Sequence, residues 1–268
     1  MKINFIGGGN MARAIICGLT NKGFDPSLIS VLELDIEKRL ALATEFGVSA
    51  SDNLTFTEEA DVIILAVKPQ QLKEVCHGLV SALKSQLVVS IAAGIRSADL
   101  AHWLGDYQAI IRVMPNTPSQ IQAGASALYA LPKVSGYQRD QAEQILAAVG
   151  KTLWLEDEKQ MDAVTAISGS GPAYVFYFIE ALQDAGIKLG LSPDAAKMLA
   201  TQTFLGASML AAQSAEDVKT LRAQVTSKGG TTEQGILAFE SADTRRIVYD
   251  AAKAAAEKSV LLGDLLGQ

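Results

Sequence analysis

The chain has 268 residues, 49% of them apolar and 19% charged, with 23 Lys and Arg against 29 Asp and Glu for a net charge of −6. That apolar fraction excludes a disordered chain. An isoelectric point near 5.0 without a basic cluster argues against a nucleic-acid binder, whose phosphate contacts need concentrated Lys and Arg.

The length fits one large domain or two unequal ones. Lys2 precedes an apolar stretch, but Asn4, Asn10, Arg13 and a glycine triplet interrupt it, which is unlike a signal peptide. No run approaches 18 apolar residues, so no membrane partner is expected and a cytoplasmic location is. Cys17 and Cys76 lack metal-ligand spacing and form no disulfide framework, so neither a metal site nor an oxidising compartment is expected.

The first part alternates short β-branched runs with helical patterns, the form of a parallel sheet covered by helices. Strands are expected at 2–6, 28–32, 48–50, 61–67, 87–91, 109–114, 124–130 and 152–155. Helices are expected from the glycines to about Leu19, and at 36–46, 70–84, 97–104 and 138–149. The acidic stretch 156–158 marks a boundary, dividing the chain into 1–157 and 158–268. Beyond it the text is alanine-rich with no period-2 run, and helices are expected at 162–167, 172–188, 193–213, 216–224, 232–241 and 244–262. Ser192-Pro193-Asp194 is a helix start, with a capping hydroxyl, proline at the first position and an acid at the positive dipole end. Ala and Leu on more than one face of these helices imply burial against a second subunit.

The first strand runs into Gly7-Gly8-Gly9-Asn10-Met11-Ala12, a G-x-G-x-x-A pattern between strand and helix. Gly7 permits the tight turn, Gly9 lets backbone approach a pyrophosphate, and Ala12 allows close helix–strand packing. The helix N-terminus supplies amides to the phosphates. Glu33 follows the second strand, where an acid accepts hydrogen bonds from the adenosine ribose and repels a 2′-phosphate. Leu34 beside it carries no positive charge, so the residues lean towards NADH over NADPH. A solvated surface acid is the competing reading of Glu33.

A hydride-transferring enzyme that acts on an alcohol generally employs a His, Lys or Tyr as acid or base. His77 and His102 lie in the first part on expected surface helices, and the helical part has no histidine. This points to a substrate whose reduction needs no strong general base. Two stretches of the helical part stand out. In 162–174 a Ser/Gly cluster breaks one helix and starts another. In 225–233 a glycine pair opens onto a helix whose amides, hydroxyls and dipole suit a small carboxylate. Thr231 and Gln234 also have capping-box spacing, so a plain N-cap competes there.

Six blocks in order carry a resemblance to the pyrroline-5-carboxylate reductase family: Phe5–Met11, Ala66-Val-Lys-Pro69, Val89–Gly94, Arg112-Val-Met-Pro-Asn-Thr-Pro118, Ser168-Gly-Ser-Gly-Pro-Ala-Tyr174 and Gly229-Gly-Thr-Thr232. The resemblance implies an α/β Rossmann domain followed by an all-α substrate and dimerisation domain, the 6-phosphogluconate dehydrogenase-like arrangement. It also implies a homodimer, sometimes assembled further, and reduction of a cyclic imine to L-proline with NADPH or NADH. Gly7, Gly8, Gly9, Asn10 and Met11 would line the phosphates, and Asn53, Ala66, Lys68, Pro69 and Ala93 the rest of the cofactor. Thr165 would meet the ring nitrogen, and Ser227, Gly230, Thr231 and Thr232 the carboxylate, supplied by the partner subunit. Lys228 stands where the family usually has proline. Gln224 stands where a smaller amide often contacts the cofactor, and Glu33-Leu34 replaces the pair associated with a 2′-phosphate.

The alternatives are another imine or hydroxyacid reductase of the same architecture, or a non-catalytic nucleotide-sensing dimer. A β-hydroxyacid dehydrogenase would carry Lys four residues beyond Gly171, where Val175 stands. A prephenate-type dehydrogenase needs a substrate-facing histidine, for which His102 is a poor candidate.

Overall fold

The computed structural model describes residues 1–267. Eight strands form one sheet: β1 (Ile3–Ile6), β2 (Ile29–Leu32), β3 (Ser49–Ser51), β4 (Val62–Leu65), β5 (Leu87–Ser90), β6 (Ile110–Met114), β7 (Gly124–Ala130) and β8 (Gly150–Trp154). Their spatial order is β3-β2-β1-β4-β5-β6-β7-β8. The first six run parallel in the doubly wound order 3-2-1-4-5-6. Chain direction across the sheet reverses between β1 and β4, and a crevice opens at the C-terminal ends of those strands.

The wholly parallel sheet expected from the pattern needs one correction. β7 is antiparallel to β6, and β8 runs parallel to β7. The β6–β7 connection spans only 115–123. A parallel crossover needs a dozen or more residues, so the strand must return antiparallel.

Burial explains the apolar strands. In β4, Val62 and Ile64 pack with α1 (Asn10–Asn21), α2 (Ile36–Phe46) and α5 (Gly136–Ala147) on one face. Ile63 and Leu65 pack with α3 (Pro69–Leu79) and α4 (Ser97–Trp103) on the other. All four are fully buried, each contributing about 1.5–3 kcal/mol. Cys76, on α3, is buried with its thiol pushed up to about 12 by desolvation, which makes it inert.

The helical part holds α6 (Gln160–Val164), α7 (Gly171–Lys188), α8 (Pro193–Gln213), α9 (Val218–Gln224), α10 (Thr231–Ser241) and α11 (Thr244–Leu266). Ser192 caps α8 as its sequence predicts, accepting from the Ala195 amide at 3.3 Å with Pro193 at the first position. Between α6 and α7 the Ser/Gly cluster ends one helix and starts the next, as the sequence predicts, with a bend at Ser170. The first helix ends in a π-helical turn, Thr165–Gly169, closed by the Ser170 amide donating to the Thr165 carbonyl at 2.8 Å. The π turn, which widens the helix by one residue, is what composition does not show.

The chain divides into two compact units. One comprises Met1–Ser170 together with the chain from Ala254 onwards, and the other is Gly171–Lys253. The first unit runs past β8 because Glu158 and Asp162 are bound within it. Glu158 accepts from the Ser97 amide (2.7 Å), the Ser97 hydroxyl and Arg112 Nη1 (2.9 Å), and Asp162 accepts from Ser259 Oγ at 2.6 Å. In the second unit, Phe176, Tyr177, Leu210 and Leu237 are exposed, and neither α7 nor α10 has a fully buried residue. No described helix is long and apolar enough to cross a membrane.

Candidate active site

The glycine loop sits at the sheet's crevice. Gly7 has φ +102°, a left-handed conformation, and a Cβ there would lie 2.8 Å from the Ala66 carbonyl oxygen at the end of β4. Its amide donates to the Leu32 carbonyl at 2.8 Å, fixing the turn between β1 and β2. At Gly8 a Cβ would meet Leu42 Cδ1 at 2.6 Å. Gly9 differs: it is exposed, and its nearest neighbour for a Cβ is 4.0 Å away. It is the N-cap of α1 without a side-chain cap, so the first-turn amides of α1 face open space. Ala12, fully buried, packs that helix onto the sheet.

Beside the loop lies a cleft of about 570 Å³ lined by Gly7, Gly8, Gly9, Glu33, Ala66 and Lys68 among the residues expected from sequence. Asn10, Met11, Ala12, Asn53, Pro69 and Ala93 do not line it. Asn53 is exposed after β3, where its Oδ1 accepts from the Thr55 amide at 3.0 Å, and Ala93 is exposed in the turn before α4. The sequence reading missed Lys38, Gln71, Glu74 and Val75 in the lining. The last three recur at i, i+3 and i+4 after Lys68-Pro69, so they share one face of α3, a pattern that was available in the sequence.

Glu33 is tied into this loop: Oε2 accepts from the Gly8 amide at 2.9 Å and Oε1 from the Asp35 amide at 3.0 Å. Asp35 caps α2, and the Lys38 and Glu37 amides hold its carboxyl below the usual carboxylate range. Lys38 Nζ stands 3.7 Å from Asp35, placing a second cation, besides Lys68, at the cleft near Glu33 and Asp35. Arg39 is engaged elsewhere, donating to the Glu33 carbonyl at 2.9 Å and pairing with Asp52 at 3.3 Å.

Thr165 begins the π-helical turn, and its hydroxyl donates to the Met161 carbonyl at 2.8 Å. With its proton so engaged, Oγ keeps lone pairs for an incoming N–H. The carboxylate-binding candidates lie in the second unit. Gly229 has φ +77°, which favours glycine, and a Cβ on Gly230 would lie 2.5 Å from Ser227 Oγ. The capping box suggested by Thr231 and Gln234 does not form. Gly230 is the N-cap of α10 and Thr231 its first helical residue, while Glu233 reaches back to accept from the Gly229 amide at 2.7 Å. The glycine's extended conformation lets the helix start one residue earlier, leaving the amides of Thr231 and Thr232 without an acceptor in the helix. Gln224 ends α9 and borders a separate cavity of about 710 Å³ between α8 and α9.

The model for pyrroline-5-carboxylate reductase dimerisation matches residues 158–262, and the model for coenzyme F420-dependent NADP oxidoreductase matches residues 2–94. A pyrroline-5-carboxylate reductase from Pseudomonas aeruginosa is 47% identical over 269 residues, covering 100% of this chain and 98% of that one. The chain belongs to the pyrroline-5-carboxylate reductase family. A family structure from Coxiella burnetii superposes with a TM-score of 0.94 at 42% identity, covering 97% of this chain and 98% of that one. The Plasmodium falciparum pyrroline carboxylate reductase, solved with NADP bound, gives 0.84 at 30% identity and 98% coverage of both. The family is one of NAD(P)-dependent oxidoreductases, with the Rossmann domain and helical dimerisation domain that the sequence predicts. The open first-turn amides of α1, the exposed Gly9 and the acid beside the loop fit a dinucleotide.

Proposed function

We propose that this chain reduces 1-pyrroline-5-carboxylate to L-proline, the last step of proline biosynthesis, as a cytoplasmic homodimer. Full-length relatedness to reductases of this substrate carries the reading. Residues 1–157 hold the cofactor, and residues 158–268 supply the substrate turn and the dimer contacts. The apolar side chains exposed on the second unit support that pairing, and further assembly of dimers extends it.

Gly7 to Met11 line the pyrophosphate: Gly7 and Gly8 shape the loop, Gly9 lets the phosphates approach, and the first-turn amides of α1 with the helix dipole bind them, with Ala12 seating the helix. Glu33 takes the ribose hydroxyls, and Asn53, Ala66, Lys68, Pro69, Ala93 and Gln224 frame the rest. A bound dihydronicotinamide supplies the hydride for the imine carbon. Ser227, Gly230, Thr231 and Thr232 hold the substrate carboxylate at the start of α10. Thr165 Oγ accepts the N–H of the protonated imine and orients the ring. A protonated imine is electrophilic enough for positioning to suffice, consistent with a helical part without histidine.

The assay is loss of reduced-nicotinamide absorbance on adding 1-pyrroline-5-carboxylate, and no turnover with either cofactor would refute the assignment. Thr165→Ala should lower kcat about 10- to 100-fold, the value of one lost hydrogen bond to a charged group, with cofactor affinity unchanged. A wild-type rate removes Thr165 from the mechanism.

NADH is the preferred donor in this reading, because the Glu33 carboxylate already faces the loop and Asp35 holds Lys38. The expected kcat/KM ratio is about tenfold in favour of NADH, and Glu33→Gln should narrow it. Preference for NADPH in the unaltered protein would overturn this assignment of Glu33.

A further inference from the structure

We propose that Asn116 is a positioning residue for Thr165, acting through the π-helical turn; this rests on the reading that Thr165 binds the substrate nitrogen. Asn116 directly precedes the short 3₁₀ turn Thr117–Ile121, where an asparagine side chain ordinarily caps the helix that follows it, yet it makes no such cap. Its amide instead bridges two distant segments. Oδ1 accepts from the Ala125 amide at 2.8 Å, and Nδ2 donates to the Ser168 carbonyl at 3.3 Å and to Ser168 Oγ at 3.2 Å. The partners set the orientation of the amide, because an N–H requires the oxygen and a carbonyl requires the nitrogen.

Ala125 lies two residues beyond the last β6–β7 pair, Met114 with Ala127, so Asn116 extends that ladder after β6 has ended. Ser168 lies in the same turn as Thr165. The end of β6 meets this turn a second time, since a Cβ on Gly169 would lie 2.5 Å from Met114 Cε. A π-helical turn is an uncommon register that persists where its surroundings over-determine it. Here the surroundings are the C-terminal end of β6, the end of a parallel sheet at which ligands bind. The Thr165 hydroxyl is bonded to Met161 within its own helix, so its position follows the turn and not a free rotamer. Ser168 and Thr165 belong to one turn, which the Ser170 amide closes on the Thr165 carbonyl, so what holds Ser168 bears on where that turn sets Thr165 Oγ. This gives the Arg112–Pro118 block a part in the reaction although none of its side chains reaches the cofactor cleft.

Asn116→Asp tests this, because it keeps an acceptor for Ala125 while it removes the donor to Ser168 and sets a carboxylate oxygen against the Ser168 carbonyl. The expected result is about tenfold lower kcat with the KM for cofactor within about twofold, and about tenfold faster hydrogen exchange at the Ser170 amide that closes the turn. Combined with Thr165→Ala, the same change should lower kcat less than about twofold further, because both act through one contact. Wild-type kcat and exchange in Asn116→Asp would overturn the proposal, as would a full multiplicative loss in the double variant. If Asn116→Asp fails to fold, Ser168→Ala removes the hydroxyl acceptor from the other side. About threefold lower kcat with faster Ser170 exchange then supports the proposal, and wild-type values overturn it. If Thr165→Ala alone turns over at the wild-type rate, the reading of Thr165 falls. Faster Ser170 exchange in Asn116→Asp would still support Asn116 as the residue that holds the turn, and unchanged exchange would refute that too.

Discussion

Alanine at Gly7 should destabilise the fold by about 3 kcal/mol or more, whereas alanine at Gly9 should leave the fold intact and abolish tight cofactor binding. The two glycines are two residues apart in one loop, so the contrast isolates geometry from composition. At Gly7 the added methyl meets a backbone carbonyl at 2.8 Å, and the φ of +102° is one that L residues rarely adopt. Neither the carbonyl of Ala66 nor the turn can yield without disturbing β1 and β4, the two strands that flank the crevice. At Gly9 the methyl enters open space in front of the α1 amides. Its damage falls on a pyrophosphate that must come within hydrogen-bond distance of the backbone. Urea midpoints should separate Gly7→Ala from the other two proteins. Fluorescence titration with NADH should show Gly9→Ala weakened about 100-fold, or about 3 kcal/mol. Affinity within threefold of the wild type in Gly9→Ala would remove the loop from the cofactor site.

The second large effect is expected at Glu158. Arg112 has a side chain only 7% exposed, and its ion pair with Glu158 is 2.9 Å. The same carboxylate accepts from both the amide and the hydroxyl of Ser97 at the start of α4. Glu158→Ala therefore strands a buried guanidinium and unpairs two further donors. Breaking a buried pair from one side costs about 3–5 kcal/mol, much of it the desolvation of the charge left behind. Replacing both partners by apolar residues, Arg112→Met with Glu158→Leu, should be less harmful than Glu158→Ala alone, because no charge then stays buried. Thermal unfolding of the three proteins decides the point. A loss under about 1 kcal/mol in Glu158→Ala would mean that water reaches Arg112 and the pair holds nothing together.

Much of the architecture was legible because it depends on short-range pattern. The run Val62–Leu65 is apolar at every position because both faces of a central strand are covered. Ser192-Pro193-Asp194 starts a helix by local chemistry that tertiary context does not alter. The glycine loop announces a dinucleotide since its spacing is dictated by the ligand as much as by the fold. The π-helical turn was not legible. Ser168-Gly-Ser-Gly171 reads as a break by propensity, but the widened turn leading into it is met by hydrogen bonds from Asn116, 52 residues away in the chain. The α10 cap was misplaced by one residue for a related reason: the extended backbone of Gly230 and the bond from the Gly229 amide to Glu233 are matters of folded geometry.

The sequence by itself determined the order of strands and helices, the dinucleotide loop and the family, because each is written in local spacing and composition. Only the tertiary structure decided that β7 turns back, that Lys38 joins Glu33 at the cleft and that Glu158 is held within the first unit. It alone showed that Asn116 reaches the turn bearing Thr165. Those features depend on which distant groups share one polar partner or one confined space, and a hydrogen bond across 52 residues leaves no period in the chain to read.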